Sequence, residues 1–226
     1  MTGLNIHIDI SPDTYLKDPN SSELGKNILS NGIILIHELG FEAFTFKKLG
    51  AKIGSSESSI YRYFESKHMF LSYLTTWYWS WVEYKLIFSL NGIIEPTERL
   101  TKAIHIITET IVEDNQFSHI NEVLLDQIIM EESSKIYYTK EVDQKNEQGY
   151  FTVYKRVVQR ISELVMDIHP NFKFPHTLIS TVIKGSHQQR FFAQHLPALT
   201  DILQSKENMS SFFIQLVLKT IEPHGK

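Results

Sequence analysis

Residues 45–67 read TFKKLGAKIGSSESSIYRYFESK. Phe46, Leu49 and Ile53 recur at spacings of three and four, so a helix begun at Thr45 carries them on one face, and the Thr45 hydroxyl can accept from an otherwise unpaired amide. Gly54 ends that helix, because glycine takes a positive φ at a helix C-terminus without a Cβ penalty. Ser55 and Ser56 then supply a cap for a second helix, expected over residues 57–64. Ile60 and Phe64 are its packing residues, while Glu57, Ser58, Tyr61 and Arg62 lie on other faces. Two short helices joined by a tight Gly-containing turn form a helix-turn-helix, whose second helix enters a DNA major groove. Ser66 caps a third helix with Lys67 in its first turn.

From Leu24 to about Leu74, without a gap, the chain resembles the TetR-type (TetR/AcrR-like) transcriptional regulators. The resemblance is most specific at Gly40-Phe41, Thr45, the Leu49/Ile53/Gly54 core and turn, and Ile60-Tyr61-Arg62-Tyr63-Phe64 followed by Ser66-Lys67. The sequence departs from the family pattern at Gly50, where Ala is usual, at Ser55, where an apolar residue is usual, and at Ser58, where Gly or Pro is common. The resemblance implies an all-α fold: an N-terminal three-helix helix-turn-helix DNA-binding domain, then a larger helical ligand-binding and dimerisation domain, with about nine helices. The expected organisation is an arm over residues 1–21, a DNA-binding domain over 22–73, and an effector-binding and dimerisation domain over 74–226.

By the same resemblance Thr45, Tyr63 and Lys67 hold phosphates, and Lys47, Glu57, Ser58, Tyr61 and Arg62 reach base edges, with Ser56 and Ser59 in the DNA-facing set. Arg62 suits a bidentate contact to guanine and Glu57 an acceptor for cytosine N4. Packing of Tyr61 on the supporting helix is the alternative for that ring. The family's last two helices form a four-helix dimer interface, which places the homodimer contact at residues 176–221. Gly185 and Ser186 at mid-helix, beside exposed-looking His187 and Arg190, are compatible with a close crossing between subunits.

The whole chain has 226 residues, 42% hydrophobic and 12% aromatic, enough for one large core or two modest ones. It contains no Cys, which excludes disulfides, thiolate metal sites and a cysteine nucleophile. The first residues lack a signal-peptide pattern and no apolar run has the length of a membrane helix, so a cytoplasmic protein without membrane association is expected. A formal charge of −4 argues against an indiscriminate nucleic-acid coat. Within residues 22–73, Lys26, Lys47, Lys48, Lys52, Arg62 and Lys67 stand against Glu23, Glu38, Glu42, Glu57 and Glu65, leaving +1 there and −5 elsewhere. A weakly basic head on an acidic body predicts moderate affinity for DNA.

Leu4 to Ile10 alternate apolar and polar, then Pro residues lead into Asn20; this segment reads as an arm packed on the body or mobile, with a minor-groove arm as the alternative. A helix is expected from Asn20 to Gly40, with Asn20 and Glu23 as a capping box and Leu24, Ile28, Ile36 and Leu39 on its stripe. Gly32, on the inner side, would admit a neighbouring backbone. Further helices are expected from Lys67 to Leu90, Pro96 to Glu113, Ser118 to Glu131, Asn146 to Ile168, Pro175 to His195 and Lys206 to Ile221, with 132–145 a loop or short helix. Trp77, Trp81, Tyr84 and Phe88 share a helical stripe that reads as core or, in part, as a ligand cavity. With His105 and Tyr154 they are the ligand-site candidates for a small-molecule effector; no cofactor is implied.

The ten histidines are scattered, with no metal-binding spacing beside an acid. Asp126, Glu131 and Glu132 read as a solvated face, and no nucleophile elbow, P-loop or dinucleotide fingerprint occurs. A helical enzyme therefore has no catalytic constellation behind it. The reading is a DNA-binding transcriptional regulator, a ligand-responsive repressor acting as a homodimer; the alternative is a helical protein-interaction module with vestigial DNA binding.

Overall fold

A computed structural model describes residues 8, 10, 12–111, 119–201 and 206–222, with side chains of the last segment from residue 209. The described residues form eleven α-helices and three short 3-10 helices, with no strand. The helices are α1 (Glu23–Ala43), α2 (Phe46–Ile53), α3 (Glu57–Tyr61), α4 (Lys67–Leu90), α5 (Pro96–Thr108), α6 (Glu122–Glu132), α7 (Ser134–Tyr137), α8 (Val142–Glu147), α9 (Thr152–Ile168), α10 (Pro175–His195) and α11 (Lys206–Ile221). Short helices α7 and α8 account for the excess over the nine expected. None of the described helices is long and apolar enough to cross a membrane. The alternation at Leu4 to Ile10 lies largely outside the described residues, whereas α5 ends at Thr108, short of the expected Glu113, and α6 starts only at Glu122, after the expected Ser118.

By compactness the chain divides into Met1–Ser80 with Ile111–Thr152, and Trp81–Thr110 with Val153–Lys226. This division differs from the expected boundary after residue 73. In the first unit α6 packs on α1, so the helix-turn-helix shares one core with later helices and with the first half of α4. Ile28, Leu29, Ile33 and Ile36 of α1, Phe44, Phe46, Leu49, Ile60, Phe64 and Phe70 are buried there. Residues 71–79 of α4 are buried without interruption, so Tyr78 and Trp79 are as enclosed as Trp77. A helix apolar all round is an interior helix, which is why a stripe was a poor guide to this one.

Several local expectations change. The N-cap of α1 is Ser22, whose hydroxyl accepts from Gly25 N, while Asn20 instead reaches Tyr73 and His119. Gly40 takes φ 75° and ψ 156° and breaks the helical path, yet a final turn continues to Ala43. Leu39, expected on the buried stripe, is exposed. Gly32 admits the Phe70 ring and not a backbone: a Cβ there would sit 2.4 Å from Phe70 Cζ.

In the second unit α5, α10 and α11 pack together around Leu100, Ile104, Ile107, Ile179, Val182, Ile183, Phe213 and Val217. Gly185 faces Phe213 of the same chain, Ser186 is fully buried with its hydroxyl bonded to Ile183 O, and His187 is buried. Ser186 and His187 therefore belong to the intrachain core, whereas Gly185 and Arg190 are half-buried. The apolar face of α11 splits, with Phe213 and Val217 buried and Phe212 and Leu216 exposed. Glu83 is held by two guanidiniums, accepting from Arg156 Nε at 2.6 Å and Arg160 Nε at 2.7 Å. Burial would raise that carboxyl, but the two arginines hold it below the usual carboxylate range.

Alanine is the better helix former by about 0.5–1 kcal/mol, but a Cβ on Gly50 would lie 2.7 Å from the Ser55 carbonyl oxygen and 3.3 Å from Glu57 N. Backbone overpacking of about 1–3 kcal/mol outweighs that preference, so Gly50→Ala should lower the thermal midpoint; an unchanged or raised midpoint would show that the turn relaxes freely. His187 is held well below 6.5 by burial, with Arg190 and Lys184 acting in the same sense. A depressed folded value means that the contribution is complete above pH 6.5 and is lost as pH falls through the lower folded value. Acid should thus destabilise the wild type more steeply than His187→Gln; parallel stability profiles would count against this. His119 is also depressed by burial, so the comparison between the two proteins is the readout.

Candidate nucleic-acid interface

Helix α2 begins where expected, at Thr45, whose side chain accepts from Lys48 N at 3.2 Å. It ends at Gly54, with φ 66° and ψ 32°, and Ser55 N bonds Gly50 O at 2.9 Å. Ser56 then caps α3 by accepting from Ser59 N. The second helix is shorter than the expected 57–64, ending at Tyr61, but Phe64 still enters the core. Ser66 accepts from Met69 N at the start of α4, as expected of a cap.

The outward side of this unit carries Thr45, Lys47, Ser56, Ser58, Tyr61 and Arg62 as exposed residues, with Glu57 and Ser59 half-buried. Hydroxyls link much of it: Ser56 Oγ lies 2.9 Å from Ser58 Oγ and 2.8 Å from Ser59 Oγ, and Arg62 Nη2 donates to Ser59 Oγ at 3.4 Å. The chain of polar contacts restrains Arg62, which forms no ion pair among the described residues, and leaves its guanidinium facing solvent. Tyr61 packs on the supporting helix and keeps part of its surface open. Its ring meets Phe46 edge-on with centroids 5.1 Å apart, yet the residue remains 47% exposed.

Tyr63 and Lys67 sit differently from the rest of the DNA-facing set. Tyr63 is buried and its hydroxyl lies 2.8 Å from Ser22 Oγ. That hydrogen bond holds the phenol below its ordinary value, with Lys17 and Arg62 adding in the same sense against burial. Lys67 donates to Phe41 O and Glu42 O, each at 3.0 Å, closing the carbonyl end of α1. Two of its three ammonium protons are thus engaged.

Behind the surface, Glu132 of α6 accepts from the buried Phe41 N–H at 3.0 Å and pairs with Lys135 at 2.7 Å; Lys135 also meets Glu42 at 3.0 Å. Burial opposes the Lys135 charge, but these two carboxylates hold it above its ordinary value. Asp126 is likewise buried, accepting from Tyr78 OH at 2.9 Å. The expected solvated acidic face therefore holds for exposed Glu131 and fails for Asp126 and Glu132. No local pattern marks Glu132, because its partner lies 91 residues earlier.

The second unit has a cleft of about 990 Å³ whose walls include Tyr84, Ile87, Phe88, Arg99, Arg160 and Leu164. Of the six ligand-site candidates, Tyr84 and Phe88 line it. Their rings are stacked with centroids 6.1 Å apart, and Phe88 is 72% exposed. Trp77 and Trp81 are buried, and His105 faces Glu109 at 3.3 Å. Neither they nor Tyr154 line the cleft. Among the described residues no group of three or more His, Asp and Glu is placed to hold a metal ion.

Residues 28–74 match the sequence model of the bacterial regulatory proteins, tetR family. No curated protein sequence matches the chain. Among solved structures, one from Rhodococcus RHA1, described as a bacterial regulatory protein in the tetR family, has 12% identity and a TM-score of 0.60, covering 88% of this chain and 97% of its own. AibR, solved in complex with isovaleryl coenzyme A and operator DNA, has 13% identity and a TM-score of 0.59, covering 84% of this chain and 97% of its own. The superantigen PfiT has 15% identity and a TM-score of 0.59, with coverages of 90% and 97%. At such identities these likenesses establish the fold, and a fold alone does not carry a function. Residues 28–74 thus carry the helix-turn-helix pattern of the tetR family, and the chain as a whole shares the fold of these solved structures.

Proposed function

We propose that the chain is a sequence-specific DNA-binding transcriptional regulator, a ligand-responsive repressor that works as a homodimer in the cytoplasm. The observation that carries this reading is the hydroxyl-linked face of Ser56, Ser58, Ser59 and Arg62, exposed at all but Ser59, on a helix capped and supported as a helix-turn-helix requires. Arg62 and Glu57 read base edges with Lys47, Ser58 and Tyr61, while Thr45 and the remaining proton of Lys67 meet phosphates. Tyr63 supports the surface from beneath through Ser22.

The dimer forms through residues 176–221, supported by exposed Phe212 and Leu216 of α11 and by Leu196 and Leu199 just after α10. Two reading heads then meet half-sites one DNA turn or more apart. The effector is a small molecule held in the cleft beside Tyr84 and Phe88, whose volume suits such a ligand. AibR, with its acyl-coenzyme A and operator, lends support to this pairing of ligand and DNA.

A protein-interaction module with vestigial DNA binding has one observation in its favour. Among the basic residues of 22–73, Lys26 and Lys52 are paired with Glu23 and Glu38, so the head's net +1 is also partly neutralised locally. Selection of genomic fragments on the purified protein at near-physiological salt separates the readings: the regulator enriches a palindromic site, whereas the module enriches none even at low salt. On the enriched site, Arg62→Ala should lose about 1–3 kcal/mol of discrimination at one guanine. An unchanged site preference in that variant would remove Arg62 from base reading.

A further inference from the structure

The described part of the N-terminal arm, from residue 12 on, is folded onto the helix-turn-helix unit. It contains two 3-10 turns, Pro12–Thr14 and Pro19–Ser21. Leu16 N donates to Tyr63 O at 2.8 Å, and Tyr15 meets Tyr73 edge-on at 6.0 Å. Further along, the Asn20 side chain donates to Tyr73 OH at 3.0 Å and lies 2.9 Å from His119 Nε2. Pro19 packs into the space that Gly25 leaves, where a Cβ would be 2.1 Å from Pro19 O.

Lys17 lies between these anchors, so its backbone position is fixed although its side chain is exposed. Its ammonium sits 5.0 Å from the centroid of the Tyr63 ring, next in sequence to Arg62. Lys17 over the Tyr63 ring and Arg62 beside Tyr63 in the chain thus flank one residue, and both are exposed. The adjacent acid, Asp18, caps the second 3-10 turn, its Oδ1 accepting from Asn20 N at 2.8 Å.

We propose that Lys17 is a phosphate contact of the DNA-facing surface, so that the arm and the recognition helix hold the duplex together. The proposal rests on the DNA-binding reading above. It assigns the arm a backbone role in place of minor-groove reading, because a single lysine is a point charge without base-edge geometry.

The test compares wild type, Lys17→Met and Lys17→Arg by fluorescence anisotropy on the selected site and on an unrelated duplex, across a salt series. Lys17→Met keeps an apolar stem over Tyr63, and thermal melts check that the fold is intact. Removing one phosphate contact should lower the salt slope by about 0.9 per protomer, equivalent to about three- to fourfold in affinity between 50 and 200 mM salt. The loss should be the same on both duplexes and be restored by Lys17→Arg. An unchanged slope, or weakening without a slope change, would assign Lys17 to arm packing and overturn the proposal alone. A wild type that binds neither duplex at any salt would remove the DNA-binding reading and this contact with it.

Discussion

The reading head depends on the space that Gly32 leaves for the ring of Phe70. That ring lies against α1 where a Cβ would come within 2.4 Å of it, and it is the meeting point of the other aromatics. Phe44 stacks on it at 5.7 Å, Phe64 meets it edge-on at 4.9 Å and Phe46 at 6.4 Å. One residue of α4 therefore joins α1, the start of α2 and the segment after α3. Edge-to-face and offset arrangements suit the aromatic quadrupole and add about 0.5–1.5 kcal/mol per pair beyond burial. The consequence is a short recognition helix held by its surroundings, since five residues alone do not make a stable helix.

Around that centre the polar contacts fix orientation. Lys67 closes the carbonyl end of α1, and Glu132 and Lys135 hold the same end from α6 and the start of α7. These are charge-assisted bonds, stronger and more directional than neutral ones. They place the outward serines and Arg62 on a stiff base while leaving them open to solvent.

The helix-turn-helix was legible because its signals are local. Thr45 and Ser56 cap, Gly54 turns, and Phe46, Leu49, Ile60 and Phe64 repeat on one face, all within about six turns of chain. Gly50 was harder to interpret: propensity marks it as a weakness, whereas the returning Ser55 carbonyl makes its missing Cβ a requirement. The contributions of Glu132, Asn20 and Lys17 depend on partners 91, 53 and 46 positions away, and no periodicity reports such distances. The cleft was half legible for the same reason. Tyr84 and Phe88 lie on an obvious stripe, but Arg99 and Leu164 join them only through the packing of α5 and α9.

Hydrogen–deuterium exchange of the protein, with and without a duplex it selects, tests the central claim most directly. The account predicts slowed exchange concentrated at residues 45–62 and in the arm around Lys17, since those segments carry the outward donors. Protection confined to α10, α11 or the cleft, with the helix-turn-helix exchanging as in the free protein, would contradict it.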